Sequence, residues 1–158
     1  MLIRLGDLLV QRGVISREQR DAILAEQIQT SRPFGVLAEQ IYGVSREDIE
    51  DAWAEQYALI NPTVDPRHEE INAAVLQIIG RRQAWQFRIL PLRFDVHELV
   101  VCTTQDHLVK ALRFAGYQIK QPVYFVLADA LALGEALMSN YPMDGMSPHM
   151  VAAERLAI

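Results

Sequence analysis

The chain has 158 residues, of which 51% are hydrophobic, and a formal net charge of −5. This length has room for one domain or for two small ones that share a core. The negative charge argues against non-specific binding to DNA or RNA, which needs a broad positive surface. No apolar run approaches the roughly 20 residues that cross a bilayer. We therefore expect a soluble, cytoplasmic chain with neither a membrane span nor a signal peptide.

The most informative feature of the first half is an internal repeat. The stretch VISREQRDAILAEQ at residues 14–27 returns as GVSREDIEDAWAEQ at residues 43–56, so the two copies start 29 residues apart. The second copy keeps the Ser-Arg-Glu triplet at its start and the Ala-Glu-Gln triplet at its end. The first half is therefore built from two similar units.

Each copy has the pattern of a short helix, a tight turn and a longer helix. Glycine tolerates the left-handed conformation that ends helices, so Gly13 and Gly43 mark the turns. Ser16 and Ser45 are typical N-caps, and Gln19 stands where it completes a capping box with Ser16. The repeat predicts four short helices.

The second half changes to a mixed pattern. The stretch INPTVDPRHEE carries two prolines and predicts a linker, and a helix is predicted over residues 70–82. FRILPLRFD and LVVCTT predict a hairpin, and PVYFVLA predicts a third strand between two helices. We predict an α+β fold, in which the tandem helical repeat precedes a small sandwich-like α/β subdomain with a three-stranded sheet. The expected boundaries are a repeat subdomain at 1–58, a linker at 59–70, an α+β subdomain at 71–141 and a loosely ordered tail at 142–158.

Signatures of catalysis are missing. Neither a G-x-x-x-x-G-K-[ST] loop nor a G-x-G-x-x-G motif is present, and the four histidines lack the i, i+4 spacing of a helical zinc pair. The histidines are interpreted as solvent-exposed, and Cys102, within an apolar run, as a small buried side chain. We expect no enzyme activity and no metal.

The residues before the first capped helix suggest a binding module. They read RLGDLLVQRGVIS, which offers a guanidinium fork, an apolar surface for a base and a glycine that a ligand can approach closely. Two tandem copies would offer two such half-sites. A ligand with two similar halves, each a purine and a phosphate, would match them.

The pattern R-L-G-x-x-L-L-x-x-G-x-I, closed by a glutamine, resembles the cyclic di-GMP-binding motif of the MshE-type domain. This domain is the N-terminal domain of type II secretion and type IV pilus assembly ATPases, where two motifs stand in tandem with a five-residue spacer. The resemblance covers roughly residues 3–141, with residues 28–32 as the spacer. The first motif matches at Arg4, Leu5, Gly6, Leu8, Leu9, Gly13, Ile15, Leu24 and Gln27.

The second motif is degenerate. Pro33 and Phe34 stand where arginine and leucine are expected, Tyr42 replaces a glycine, and in the first motif Arg20 takes a position that is usually apolar. The pattern is kept at Gly35, Leu37, Val44, Ile49 and Gln56. Because Arg32 is one residue upstream and an aromatic ring can stack on a base for ~1–3 kcal/mol, we favour weakened binding over lost binding.

The resemblance implies a non-catalytic regulatory domain that binds cyclic di-GMP and signals to an attached or partner protein. That protein could be an ATPase, a glycosyltransferase of exopolysaccharide synthesis or an inner-membrane assembly protein, at the inner face of a bacterial inner membrane. The alternative is a docking domain that binds no nucleotide. The implied site comprises Arg4, Leu5, Gly6, Leu9, Gln27, Arg32, Phe34, Gly35, Leu37 and Gln56, with Asp106 near the place of a family acidic residue.

Overall fold

A computed structural model describes residues 4–153. The chain divides into two compact units, Met1–Ile60 and Asn61–Ile158. The first unit is helical and the second combines helices with a three-stranded sheet, which confirms the predicted α+β fold.

The first unit consists of the predicted tandem helices. They are α1 at Leu5–Gln11, α2 at Arg17–Thr30, α3 at Phe34–Tyr42 and α4 at Arg46–Ile60. Helix α1 contacts each of the other three. The core of this unit takes apolar side chains from α1, α2, α3 and α4 and from the two turns, at Leu8, Leu9, Ile15, Ile23, Leu37, Ala38, Val44 and Ala52.

The helix starts agree with the capping residues in the sequence. The hydroxyl of Ser16 accepts the backbone N–H of Gln19 at 3.1 Å, and the Gln19 side chain accepts the N–H of Ser16 at 2.8 Å, which is the predicted capping box. Ser45 accepts the N–H of Asp48 at 3.1 Å in the second copy. Gly43, with φ +65°, makes the turn between α3 and α4, so a glycine at position 42 is not needed there.

The second unit begins with a 3-10 helix at Ala73–Gln77 and continues through the remaining helices and strands. These are α5 at Arg81–Phe87, β1 at Leu90–Asp95, β2 at Glu98–Thr103, α6 at Leu108–Gln118, β3 at Val123–Leu127, α7 at Ala130–Asn140 and α8 at His149–Ala153. Strands β1 and β2 form the predicted antiparallel hairpin, and β3 pairs parallel to β2, giving the order β1-β2-β3. The parallel pair is possible because α6 carries the chain back between them.

Two local predictions for the second unit are wrong. The single helix over residues 70–82 is replaced by the 3-10 helix and a separate α5, because Gly80 adopts an extended conformation (φ −71°, ψ 152°) and caps α5. His107 is 8% exposed rather than solvent-exposed, and its Nδ1 lies 2.7 Å from the Thr104 hydroxyl.

The described part of the C-terminal tail is packed. Val151 of α8 is 2% exposed, and the guanidinium of Arg88 donates to the carbonyl of Met150 at 3.3 Å. A Cβ on Gly134 would collide with the backbone of Pro148, so the absence of a side chain there lets the segment lie directly on α7. Residues 148–151 therefore contact the rest of the second unit. The loosely ordered tail expected at 142–158 stays a prediction, and residues 154–158 lie outside the described range.

Candidate functional site

The first unit contains a cleft of about 280 Å³ between α1, α2 and the start of α3. Its lining combines charged, amide and apolar side chains around a glycine. The lining residues are Arg4, Leu5, Gly6, Asp7, Arg20, Leu24, Gln27 and Phe34.

The α1 side of the cleft is set by the start of that helix. Arg4 is extended (φ −89°, ψ 155°), and its carbonyl accepts the N–H groups of Asp7 at 3.1 Å and Leu8 at 3.2 Å. The Arg4 side chain is exposed. Its backbone is therefore fixed by the helix, while its guanidinium is accessible to a ligand.

The α2 side is one face of a helix. Arg20, Leu24 and Gln27 follow the i, i+4, i+7 spacing that places side chains above one another. All three are partly buried. The face therefore presents a guanidinium, an apolar side chain and an amide to the same cleft.

Arg20 connects the two sides. Its Nη1 lies 3.1 Å from Asp7 Oδ1, and its Nη2 lies 3.2 Å from Asp21 Oδ1. The Arg20 side chain is 27% exposed and that of Asp7 is 41% exposed, so water reaches this ion pair. With Arg4, the described lining carries two positive charges and one negative charge.

Phe34 packs directly on Gly6. A Cβ on Gly6 would lie 2.8 Å from Phe34 Cζ and 3.2 Å from Arg20 Cγ. The glycine is therefore required for the aromatic ring and the arginine stem to approach α1. From the sequence we expected a ligand to approach the backbone of Gly6. In the structure, Phe34 and Arg20 occupy the space beside its Cα.

The same packing occurs in the second copy with the roles exchanged. A Cβ on Gly35 would lie 2.9 Å from Ile49 Cγ2 and 4.0 Å from Leu5 Cδ2. Leu5 and Phe34 are equivalent positions of the repeat, and so are Arg20 and Ile49. The same two repeat positions therefore pack on each glycine, but Phe34 is the nearer neighbour of Gly6, whereas Ile49 is the nearer neighbour of Gly35.

The three charged residues of the cleft lining have no charged counterpart in the second copy. The positions equivalent to Arg4, Asp7 and Arg20 are occupied by apolar residues in the second copy. Those residues are Pro33, Val36 and Ile49. An anionic ligand would therefore find its charged partners in the first copy.

Five of the residues expected in a site from the sequence line the cleft: Arg4, Leu5, Gly6, Gln27 and Phe34. Leu9 and Leu37 are instead core residues, with exposures of 0% and 2%. Gly35 packs on Ile49, as described above.

Three further expected residues lie away from the described lining. The Nη1 of Arg32 donates to Gln40 Oε1 at 3.0 Å. Gln56 is partly buried in α4, and Asp106 is exposed in the second unit, in a 3-10 helix after β2.

The cleft also contains Asp7, Arg20 and Leu24, which were not among the expected site residues. The i, i+4, i+7 spacing of Arg20 with Leu24 and Gln27 was the available signal for two of them. Asp7 follows Arg4 by three residues and so returns to the same face one turn later.

Outside the cleft, the buried thiol of Cys102 and the possible metal ligands were the remaining groups to consider. Burial raises the pKa of Cys102 to about 12, so the thiol stays protonated and weakly nucleophilic at neutral pH. Within residues 4–153 there is no cluster of three or more histidine, cysteine or acidic side chains suited to a metal. In the same range, no helix has the length and apolar character to cross a membrane.

Comparison with known proteins places the chain in a family. The model of the MshEN domain matches residues 61–147, which is more than half of the chain. The structure of MshE with cdg (cyclic di-GMP) is 22% identical, with a TM-score of 0.49, and covers 88% of this chain and 99% of that one. One crystal form of the N-terminal domain of XpsE is 16% identical, with a TM-score of 0.45, and covers 87% of this chain and 94% of that one. No curated protein matches the sequence.

Proposed function

The chain belongs to the MshEN domain family, and we propose that its first unit is a non-catalytic sensor that binds cyclic di-GMP in the cleft. The observation that carries this proposal is the convergence of Arg4, Gln27 and Phe34 on one cleft. Two of these residues belong to the first motif, and the third comes from the start of the second copy. The family match covers the second unit, so the assignment of the ligand rests on the motif and the cleft.

Each of these side chains suits part of a guanine nucleotide. The fork of Arg4 can bind a phosphate or the O6 and N7 atoms of guanine. The ring of Phe34 can stack on a base, which contributes ~1–3 kcal/mol. The amide of Gln27 can both donate to and accept from the edge of a base.

The cleft has room for half of such a ligand. Its volume of about 280 Å³ is near the lower end of the roughly 300–1,000 Å³ typical of small-molecule pockets. We assign the second half to the second copy, where Gly35, Leu37 and Gln56 keep the motif. Leu9 would support the site from the core, and Arg32 would add a charged contact after ligand-induced rearrangement.

Binding would act by fixing the two copies against each other. The cleft is lined by both copies, because Phe34 begins α3 while the other lining residues belong to the first copy. A ligand shifts a conformational equilibrium only by its differential affinity for the two arrangements. An attached ATPase or glycosyltransferase, or an inner-membrane assembly protein, would sense the favoured arrangement at the cytoplasmic face of the inner membrane. The parent machine would secrete proteins, assemble pili or make exopolysaccharide.

Isothermal titration with cyclic di-GMP tests this proposal. We expect saturable binding that GTP does not reproduce, and a loss of tenfold or more in Arg4→Ala, because hydrogen bonds to charged groups contribute about 1.5–3 kcal/mol. The matched control is Arg17→Ala, which removes an exposed arginine at the start of α2 outside the cleft. Equal affinity for Arg4→Ala and Arg17→Ala would overturn the assigned pose.

The second candidate function is docking to a protein without any nucleotide. It is favoured by apolar side chains that α3 leaves exposed, namely Val36, Ile41 and Tyr42, which are 39%, 46% and 37% exposed. A flat titration with cyclic di-GMP would favour this function. Saturable binding sensitive to Arg4 would favour the sensor.

A further inference from the structure

We infer that Arg20 is a phosphate-binding residue of the cleft and replaces the arginine that the second copy lacks. This inference rests on the proposed binding of cyclic di-GMP. Arg20 stands where the motif usually has an apolar residue, so the motif alone does not identify it as a ligand-binding residue. The structure instead places it in the same cleft lining as Arg4 and Phe34.

The stem of Arg20 is anchored while its head is accessible. The position of a Cβ on Gly6 is 3.2 Å from Arg20 Cγ, so the aliphatic part packs against α1. The whole side chain retains 27% exposure, and its nitrogens contact the carboxylates of Asp7 and Asp21. An arginine held by its stem loses less conformational freedom when its fork binds a ligand.

The two copies differ in the arginines that they can offer to a ligand with two phosphates. A cyclic dinucleotide carries two phosphodiesters, and a symmetric tandem site would offer one arginine from each copy. Here Pro33 takes the place of the second arginine, and Ile49 takes the place of Arg20. Both arginines of the described lining therefore come from the first copy.

Asp7 is the internal acceptor that a phosphate would replace. Its Oδ1 lies 3.1 Å from Arg20 Nη1, and its side chain is 41% exposed. Ion pairs that water reaches are weak. A phosphodiester oxygen can therefore take the place of this carboxylate at Arg20, and Asp21 can keep its contact with the other guanidinium nitrogens.

Titration of cyclic di-GMP into the chain and four variants tests the inference. Arg20→Leu removes the guanidinium but keeps an apolar stem, as the motif usually has there. Arg20→Lys keeps the charge without the fork. Arg17→Leu removes a charge from the same helix outside the cleft, and Arg4→Ala reports on the motif site. Thermal unfolding checks that each variant is folded.

We expect Arg20→Leu to lose about tenfold or more in affinity, Arg20→Lys to lose less, and Arg17→Leu to stay within about twofold. Raising NaCl from about 50 to about 500 mM should weaken the parent chain more than Arg20→Leu, because one ionic contact is missing in the variant. A merely structural role of Arg20 would leave this salt dependence unchanged.

Two results would overturn the inference. The first leaves the proposed function intact, and the second overturns it as well. If the parent chain binds and Arg4→Ala weakens binding, but Arg20→Leu matches Arg17→Leu in affinity and salt dependence, Arg20 does not bind the ligand and the proposed function stands. If the parent chain gives no heat with cyclic di-GMP at any salt concentration, both the inference and the proposed function fail.

Discussion

The guanidinium of Arg20 lies 3.1 Å from the carboxylate of Asp7, and both side chains line the cleft of the first unit. The two residues come from different helices, so their ion pair joins the longer helix of the first copy to its short helix. Both side chains are partly exposed, which makes this pair available for exchange with a ligand. A ligand phosphate would therefore compete with the Asp7 carboxylate for the guanidinium of Arg20.

Removing the carboxylate should strengthen ligand binding. In Asp7→Asn the phosphate no longer competes with an internal carboxylate for Arg20, and the lining loses its negative charge. Exposed ion pairs contribute about 0.2–1 kcal/mol, so we expect affinity for cyclic di-GMP to rise about two- to threefold at low salt. Calorimetric titration checks this. Weaker binding by Asp7→Asn would instead indicate that Asp7 itself contacts the ligand.

Restoring an arginine in the second copy should also strengthen binding. Pro33 is the position equivalent to Arg4 and directly precedes α3. A charge-assisted hydrogen bond contributes about 1.5–3 kcal/mol, so Pro33→Arg should bind cyclic di-GMP about tenfold more tightly. Pro33→Ala is the control, because it removes the proline without adding a guanidinium. Equal affinity of the two variants would show that a guanidinium at position 33 does not reach the ligand.

A methyl group on Gly6 should destabilise the first unit. The Cβ of Gly6→Ala would lie 2.8 Å from Phe34 Cζ, so the ring must shift, and such overpacking costs typically about 1–3 kcal/mol in free energy of unfolding. Urea denaturation measures this cost. Phe34→Leu places in the second copy the residue type that the first copy has, and Gly6→Ala should cost less in that background. The same cost in both backgrounds would rule out the ring as the cause.

The stability of the second unit should depend on the ionisation of Asp65. Hydrogen bonding to the Arg67 guanidinium lowers the pKa of Asp65 from 3.8 to about 2. Because the folded-state pKa is the lower one, this contribution is present above about pH 4 and is lost as the pH falls towards 2. Asp65→Asn should therefore be less stable than the parent chain near neutral pH.

The difference in free energy of unfolding between the parent chain and Asp65→Asn should close between pH 4 and pH 2, the interval set by these pKa values. Asp95→Asn, at the exposed end of β1, is the matched control. A difference that stays constant over this interval would contradict the assigned ion pair.

Local signals predicted much of the first unit. The Ser16 capping box and the turn at Gly43 depend on residues within a few positions of each other, so the sequence contains all the information they require. The hairpin of β1 and β2 was predictable for the same reason.

Tertiary packing explains what the sequence did not reveal. Leu9 and Leu37 match a binding motif but are core residues, because a motif does not separate residues that contact a ligand from those that support the helix. Arg20 differs from the motif and yet lines the cleft, since its position depends on how α1 and α2 pack. His107 is buried, and its ring is hydrogen-bonded to Thr104. The spacing of the histidines in the sequence could not indicate either fact.

The central claim is that cyclic di-GMP binds in the cleft between α1, α2 and the start of α3. Nuclear magnetic resonance of the ¹⁵N-labelled chain, titrated with cyclic di-GMP, tests this location directly. We expect saturable shifts of the Gly6, Asp7 and Gln27 amides and of the Arg4 and Arg20 side-chain Nε–H groups. An unchanged spectrum, or shifts that spare these groups and cluster elsewhere, would contradict it.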